Sequence, residues 1–191
     1  MKKLICLLLA LVFVFSFAAC GEKEKSYADK GDGSIDKYAK EGKIPEYEVS
    51  LGSSHDAIIE YFNTLAEEQD NHDLIMVEQE GNIAVNLANG VQSFYYEKEH
   101  KEKGAAVFIV TGDTAFGLEI GTTVTKSDVT KKLKADYTVA EATADQLYFL
   151  PGTVDGVDIL SANYDKIRLD FFFFDGFLSA ISLTNTEYWT D

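Results

Sequence analysis

The sequence predicts an α+β fold built as a tandem repeat, in which each unit packs a short helix on an antiparallel β-sheet. Twice along the chain, after Gly52 and again after Gly121, an amphipathic pattern is followed by a strand-rich stretch. Asn-Gly at 89–90 and Asp-Gly at 175–176 each join two apolar runs. Both residues of such a pair accept a positive φ, which is typical of tight hairpin turns. Aromatic residues make up 13% of the chain and there are only two prolines, which also favours strands.

The first helix is predicted from apolar residues that recur at helical spacing, namely Ile58, Tyr61, Phe62 and Leu65. Ser53 precedes Asp56 by three residues, as in a variant capping box, so the helix should begin beside Ser53.

The second helix carries a clearer start signal. Thr125 precedes Asp128 by three residues, which predicts Thr125 as the N-cap of a capping box. Val124 and Val129 stand at the two positions of a hydrophobic staple. Val129 and Leu133 then begin an apolar stripe that should face the core.

Strands are predicted after each helix, at 74–77, 83–87, 91–96, 106–111 and 115–120, and then at 138–140, 147–150, 157–162, 167–174 and 177–183. The four consecutive phenylalanines at 171–174 predict a central strand that is apolar on both faces, with an aromatic ligand-binding patch as the alternative. In the last strand, alternation places Phe177, Ser179, Ile181 and Leu183 on one face and Leu178 on the other.

Four segments are expected along the chain. Residues 1–19 form a leader, 20–44 a flexible polar tether, 45–118 the first α+β repeat and 119–191 the second. The tether is inferred from charged residues and glycines with almost no apolar periodicity between 21 and 43, and Pro45 marks the start of ordered structure.

The leader has the pattern of a secretory signal peptide: lysines at 2 and 3, an apolar run over 4–17, and small residues before Cys20. The end of this leader resembles the lipobox of bacterial lipoproteins, with Phe17 where leucine is usual. The resemblance implies that Cys20 carries a thioether-linked diacylglycerol and holds the protein outside the cytoplasm at the bacterial cell membrane. The alternative is an ordinary secreted protein.

Removal of residues 1–19 takes away two lysines and no acid, which changes the net charge from −15 to −17. So negative a surface should repel nucleic acid and anionic lipid headgroups, which excludes both as expected partners.

No cofactor, metal or catalytic residue is predicted. Cys6 leaves with the leader and Cys20 carries lipid, so a thiol nucleophile, a cysteine zinc site and an iron–sulfur cluster are excluded. No H-E-x-x-H, G-x-S-x-G, P-loop or dinucleotide motif occurs. The stretch 29–36 resembles the start of an EF-hand calcium loop, but only Asp32 of the four side-chain ligands of such a loop is present.

The arrangement resembles the BLIP-like family, the tandem helix-plus-sheet repeats of β-lactamase inhibitor proteins, with related single units in small envelope-assembly lipoproteins. The resemblance is carried by Gly52-Ser53, by the stretch 121–129 and by the closing hairpin 172–181, and it covers most of residues 47–185. It implies a binding or scaffolding module with a curved sheet. Inhibition of a β-lactamase is not implied, because the disulfides of those secreted inhibitors are absent.

We therefore expect a membrane-anchored, non-enzymatic module that binds an envelope or extracellular protein or peptide on its concave sheet. Aromatic anchors dominate protein interfaces, so Tyr95, Tyr148 or Trp189 should cluster on one exposed face. The alternative is a lipoprotein that binds a small ligand or metal ion, or a cryptic hydrolase, with carboxylates converging in a deep pocket.

Overall fold

The computed structural model describes residues 31–68, 74–79, 82–87, 92–121, 123–142 and 156–188. The predicted leader, Cys20, the turn at 89–90 and the strand at 147–150 lie outside these residues.

The described residues form three α-helices, one 3₁₀ helix and ten strands. The α-helices are α1 (Asp36–Ala39), α2 (His55–Glu68) and α3 (Lys126–Thr130), and the 3₁₀ helix spans Lys98–Lys103. The strands of the first half are β1 (Leu74–Gln79), β2 (Asn82–Leu87), β3 (Gln92–Glu97), β4 (Val107–Val110), β5 (Thr114–Ala115) and β6 (Leu118–Glu119). Those of the second half are β7 (Tyr137–Glu141), β8 (Val157–Tyr164), β9 (Ile167–Phe174) and β10 (Phe177–Asn185).

Eight of the strands form one antiparallel sheet in the order β1-β2-β3-β4-β10-β9-β8-β7. Strands β1 to β4 follow one another as a meander, and so do β7 to β10. The two meanders meet where β4 pairs with β10, with Ile181 opposite Val110. The prediction of a mixed α+β fold with an antiparallel sheet is confirmed.

The predicted strand at 115–120 is instead a small hairpin, β5–β6. Its turn residues Phe116 and Gly117 have φ values of 56° and 64°. The Glu46 carboxylate accepts hydrogen bonds from both turn amides, at 2.9 Å from Phe116 N and 2.6 Å from Gly117 N. A carboxylate distant in sequence thus stabilises a turn that the local pattern does not reveal.

The capping box of α3 is present as predicted. Asp128 Oδ2 accepts hydrogen bonds from Thr125 N at 3.1 Å and from Thr125 Oγ1 at 2.7 Å. These hydrogen bonds, with a smaller contribution from Lys131, lower the pKa of Asp128 to about 2. The cap therefore stays charged at neutral pH.

The cap of α2 lies one residue later than predicted. Ser54 Oγ accepts a hydrogen bond from Ala57 N at 3.3 Å, and the Ser54 carbonyl accepts one from Ile58 N at 3.0 Å. The Ser53 hydroxyl instead accepts a hydrogen bond from Ser50 N at 2.9 Å. Ser53 is therefore committed to the preceding turn, which leaves the capping role to Ser54.

The helices cover one face of the sheet, where the main core lies. The large apolar cluster joins helix residues to alternate residues of the central strands: Ile58, Phe62, Val129, Leu133, Leu169, Phe171, Phe173, Leu178, Ile181 and Leu183. On the opposite face a smaller cluster contains Ala142, Val157, Ile159, Phe172 and Ala180. Strand β9 is thus a central strand, and it is apolar on both faces from Phe171 to Phe173, whereas Arg168 and Asp170 place polar side chains earlier on one face.

The alternation predicted for the last strand is wrong at its start. The pairing of β10 with β9 shifts between Leu178 and Ala180, where a β-bulge inserts one extra residue. Leu178 therefore shares the helix-covered face with Ile181 and Leu183, and all three are fully buried. Phe177, which precedes Leu178, lies opposite Phe174 on the other face and is 39% exposed.

Residues 31–44, predicted as part of a flexible tether, belong to the folded body and are called the N-terminal strap below. Gly31 N donates to the Leu133 carbonyl at 2.6 Å, which attaches the strap to the end of α3. The Asp36 carboxylate accepts hydrogen bonds from Lys134 N at 2.7 Å and Ala135 N at 2.6 Å. Three strap residues are fully buried, namely Ile35, Ala39 and Ile44. The tether expectation is therefore wrong for the strap, and residues 20–30 lie outside the described part of the chain.

Candidate binding site

The tip of the β9–β10 hairpin displays two phenylalanines to solvent. Phe174 is 46% exposed and Phe177 is 39% exposed, and they are the exposed large hydrophobic residues of the described chain. They face each other directly across the hairpin. Phe174 shares its face with Phe172, two residues before it, so the pair lies on the face opposite the helices. We call Phe174 and Phe177 the aromatic tip.

The backbone of the tip is held in place from both sides. Asp175 and Gly176 adopt φ values of 49° and 84°, as a tight hairpin turn requires and as the sequence predicts. Asp175 N donates to the Gly156 carbonyl at 3.3 Å. On the other strand, Leu178 N donates to the Val124 carbonyl at 2.8 Å. The exposed rings therefore project from a fixed hairpin.

A buried polar network lies on the same sheet face below the tip. The Asp170 carboxylate accepts hydrogen bonds from Arg168 Nε at 2.8 Å and Ser161 Oγ at 2.5 Å, and Arg168 also donates to Ser161 Oγ at 3.2 Å. Asp170 is 3% exposed and Arg168 9%. Because Ser161 and Asp170 are cross-strand neighbours, the network ties β8 to β9 and supports the hairpin that ends in the tip. We call these three residues the buried network.

The sequence analysis did not predict the buried network, and it gave an aromatic patch at 171–174 only as the alternative to a central strand. The signal for the buried network is present in the sequence, since Arg168, the single arginine of the chain, stands two residues from Asp170 in an otherwise apolar strand. Residues two apart share a face of a strand, and opposite charges there indicate a pair. Phe174 belongs to the run of four phenylalanines at 171–174, which predicts a central strand, and Phe177 follows the turn; the turn and the bulge bring both rings to solvent.

The aromatic anchors expected from the sequence are placed differently. Tyr95 is only 7% exposed and belongs to the large apolar cluster, so the prediction that it is an exposed anchor is wrong. Its strand β3 lies in the interior of the sheet, between β2 and β4. Tyr148 and Trp189 lie outside the described residues.

Metal-ligating side chains do not converge in the part of the chain that the structure describes. Within it there is no group of three or more His, Cys, Asp or Glu side chains placed to hold a metal ion. His100 lies 3.4 Å from a Glu102 carboxylate oxygen on the exposed 3₁₀ helix. A shallow groove of about 350 Å³ runs along α2, with the carboxylates of Asp56, Glu60 and Glu67 in its lining. An open groove of this kind lacks the enclosure expected for a small-molecule site.

His55 links α2 to the sheet. Its Nδ1 is hydrogen-bonded to the Tyr96 hydroxyl, and the two rings meet edge to face with centroids 5.4 Å apart. Burial, with the Lys101 cation adding to it and Asp56 opposing it, lowers the pKa of His55 below its ordinary value of 6.5. Burial also raises the pKa of Tyr96 to about 12, so its hydroxyl stays protonated. The folded state thus favours the neutral imidazole.

This preference predicts a pH-dependent contribution to stability. A lowered histidine pKa stabilises the fold above the unfolded-state pKa near 6.5, and the contribution is lost as the pH falls through the folded-state pKa. In urea unfolding at pH 7 and pH 5, His55→Gln should cost less stability at pH 5 than at pH 7. The titration of carboxylates changes the stability of the wild-type protein and of the variant alike, so it cancels in the difference between the two. An equal cost at the two pH values would contradict the assignment.

No family model, curated protein or solved structure matches the chain. None of the helices in the described ranges is long and apolar enough to cross a lipid bilayer.

Proposed function

We propose that the protein is an extracytoplasmic lipoprotein, anchored to the membrane through Cys20, that binds a protein or peptide of the cell envelope with the aromatic tip and has no enzymatic role. The observation that carries the binding site is the exposed phenylalanine pair, Phe174 and Phe177, on a fixed hairpin. The location rests on the leader and on Cys20, as read from the sequence.

The arrangement of elements supports a BLIP-like tandem repeat as the finer description of the fold. A helix precedes each four-stranded meander, α2 before β1 and α3 before β7. The meanders meet through their last strands, β4 and β10, as two units related by an approximate twofold axis would. On the face opposite the helices, the exposed large hydrophobic residues of the described chain are Phe174 and Phe177.

The aromatic tip has the properties of an interface anchor. Two adjacent phenylalanine rings offer a large apolar area with few rotatable bonds, and aromatic anchors of this kind dominate interface energetics. The hairpin turn and its hydrogen bonds to Gly156 and Val124 order the tip before binding, which lowers the entropy cost of association. In a chain with a net charge of −15, an exposed apolar pair stands out from a surface that otherwise favours solvation.

Replacement of both tip residues by threonine should abolish partner binding without unfolding the protein. Loss of two aromatic anchors is expected to weaken the affinity at least about 100-fold. Threonine keeps a high strand propensity, so the midpoint of urea unfolding should change little. Affinity for the partner would be measured by calorimetry with wild-type protein, F174T/F177T and the control N163S/K166S. The control residues are exposed and lie near the end of β8 and in the turn before β9, at the end of the hairpin opposite the tip.

The control should bind like the wild-type protein. Wild-type affinity in a correctly folded F174T/F177T variant would exclude the aromatic tip as the binding site. Equal weakening in both double variants would show that the contact is not confined to the tip.

A further inference from the structure

The strap fixes the point at which the chain coming from Cys20 enters the folded body. Gly31 N donates to Leu133 O at 2.6 Å and Asp32 N to Lys131 O at 2.8 Å. A Cβ atom at position 31 would come within 2.2 Å of the carbonyl carbon and oxygen of Lys131, so glycine is required for this close approach. The entry point therefore lies against the end of α3.

Exposed lysines surround this entry point. Lys131 has 69% of its side chain exposed, and Lys37 and Lys134 are also exposed. The aliphatic part of the Lys134 side chain lies over Gly33. Lys37 follows Asp36, whose carboxylate accepts a hydrogen bond from Lys134 N after α3. We call Lys37, Lys131 and Lys134 the basic surface.

The sequence on either side of the entry point has a small excess of lysines, although Lys131 pairs with Asp128 and Lys126 with Asp158. Residues 31–43 and 126–136 together carry seven lysines and five acids, whereas the complete chain has 17 basic and 32 acidic residues. The negative charge is therefore unevenly distributed along the chain. The net charge alone does not exclude anionic lipid as a partner of this region. At an ionic strength of 0.1 M, charges separated by more than about 10 Å are largely screened, so a membrane would respond to the nearest surface and not to the net charge.

The chain length between Cys20 and the strap keeps this surface near the membrane. Eleven residue steps separate Cys20 from Gly31, and a chain spans at most about 3.6 Å per residue, or roughly 40 Å in total. An anchored protein thus keeps Gly31 within roughly 40 Å of the headgroups.

From these observations we propose that the basic surface faces the membrane and binds anionic phospholipid headgroups. The inference rests on the lipid anchor of the proposed function and uses a different surface from the aromatic tip. Each lysine close to an anionic surface is expected to favour the docked orientation about five-fold. Docking would fix the orientation of the sheet relative to the membrane.

The test uses the lipid-anchored chain on vesicles of phosphatidylcholine, with or without 30% phosphatidylglycerol. A membrane-impermeant amine-acylating reagent is applied, and the rate at each lysine is followed by mass spectrometry. On anionic vesicles the rates at Lys131 and Lys134 should fall at least about three-fold relative to neutral vesicles and recover in 1 M salt, where screening removes the attraction. The rates at Lys98 and Lys101, on the 3₁₀ helix, should not change.

The charge-reversed variant K131E/K134E should lose the protection of Lys37, whereas K98E/K101E should retain it. Equal acylation on the two vesicle types, or protection of Lys98 and Lys101 instead, would overturn the inference. A chain that does not float with neutral vesicles would refute the lipid anchor itself. Flotation with uniform acylation would refute only the docked orientation, so the two failures are distinguishable.

Discussion

Asp170→Ala is expected to lower the free energy of unfolding by about 3–5 kcal/mol, because it leaves the buried Arg168 guanidinium without its carboxylate partner. The same substitution removes the carboxylate that accepts the Ser161 hydrogen bond, and the neutral Ser161 hydroxyl cannot balance the positive charge of Arg168. Urea unfolding followed by circular dichroism would measure the loss. An isolated surface pair would contribute only about 0–1 kcal/mol, so the size of the effect distinguishes a buried pair from an exposed one.

The control removes both charges together. R168M/D170L replaces the pair by apolar side chains, and such replacements are often neutral or stabilising because no charge remains buried. The double variant should therefore be markedly more stable than Asp170→Ala. If Asp170→Ala costs less than about 1 kcal/mol, the network does not support the hairpin as described.

Ile35→Ala should destabilise the protein by about 2–5 kcal/mol, although position 35 lies in a segment whose composition is typical of a linker. Ile35 is fully buried among residues of the main core, and its replacement by alanine would leave a cavity there. Thermal or urea unfolding of the full chain would measure the change.

Lys40→Ala is the matched control from the same strap. Its side chain is exposed, so its replacement should change the stability by no more than about 0.5 kcal/mol. Equal and small effects of the two substitutions would restore the interpretation of residues 31–44 as a tether.

The strap shows what local sequence patterns cannot predict. Its helix α1 has only four residues, too few for an amphipathic period, and its apolar side chains stand between glycines and charges. The bonds that fix it are remote, since Asp36 accepts a hydrogen bond from Lys134 N, 98 residues away. Such a contact depends on the tertiary fold and leaves no periodic signal.

Features set by neighbouring residues were predicted well. The capping box of Thr125 and Asp128 needs only residues three apart, and the Asp-Gly turn needs two residues that accept positive φ. The face of Leu178 was predicted wrongly because a single bulge reverses the alternation, and strand propensity does not reveal bulges.

The aromatic tip, the candidate binding site, combines both situations. The Asp175-Gly176 turn could be located from the sequence, but the exposure of Phe174 depends on where the sheet and its clusters end. Tyrosine is a residue type typical of protein interfaces, but the strand that carries Tyr95 lies within the sheet and its side chain is buried. Exposure of a side chain depends on how the helices and the sheet pack together. The residue type alone therefore led to the wrong prediction for Tyr95.

Site-specific photo-cross-linking in intact cells tests the central claim most directly. A benzophenone side chain would replace Phe177, and in a second strain it would replace Lys166 at the opposite end of β9. The probe at position 177 is expected to form a discrete cross-linked product with another protein, and F174T in the same chain should remove that product. No product at position 177, or the same product from position 166, would contradict binding by the aromatic tip.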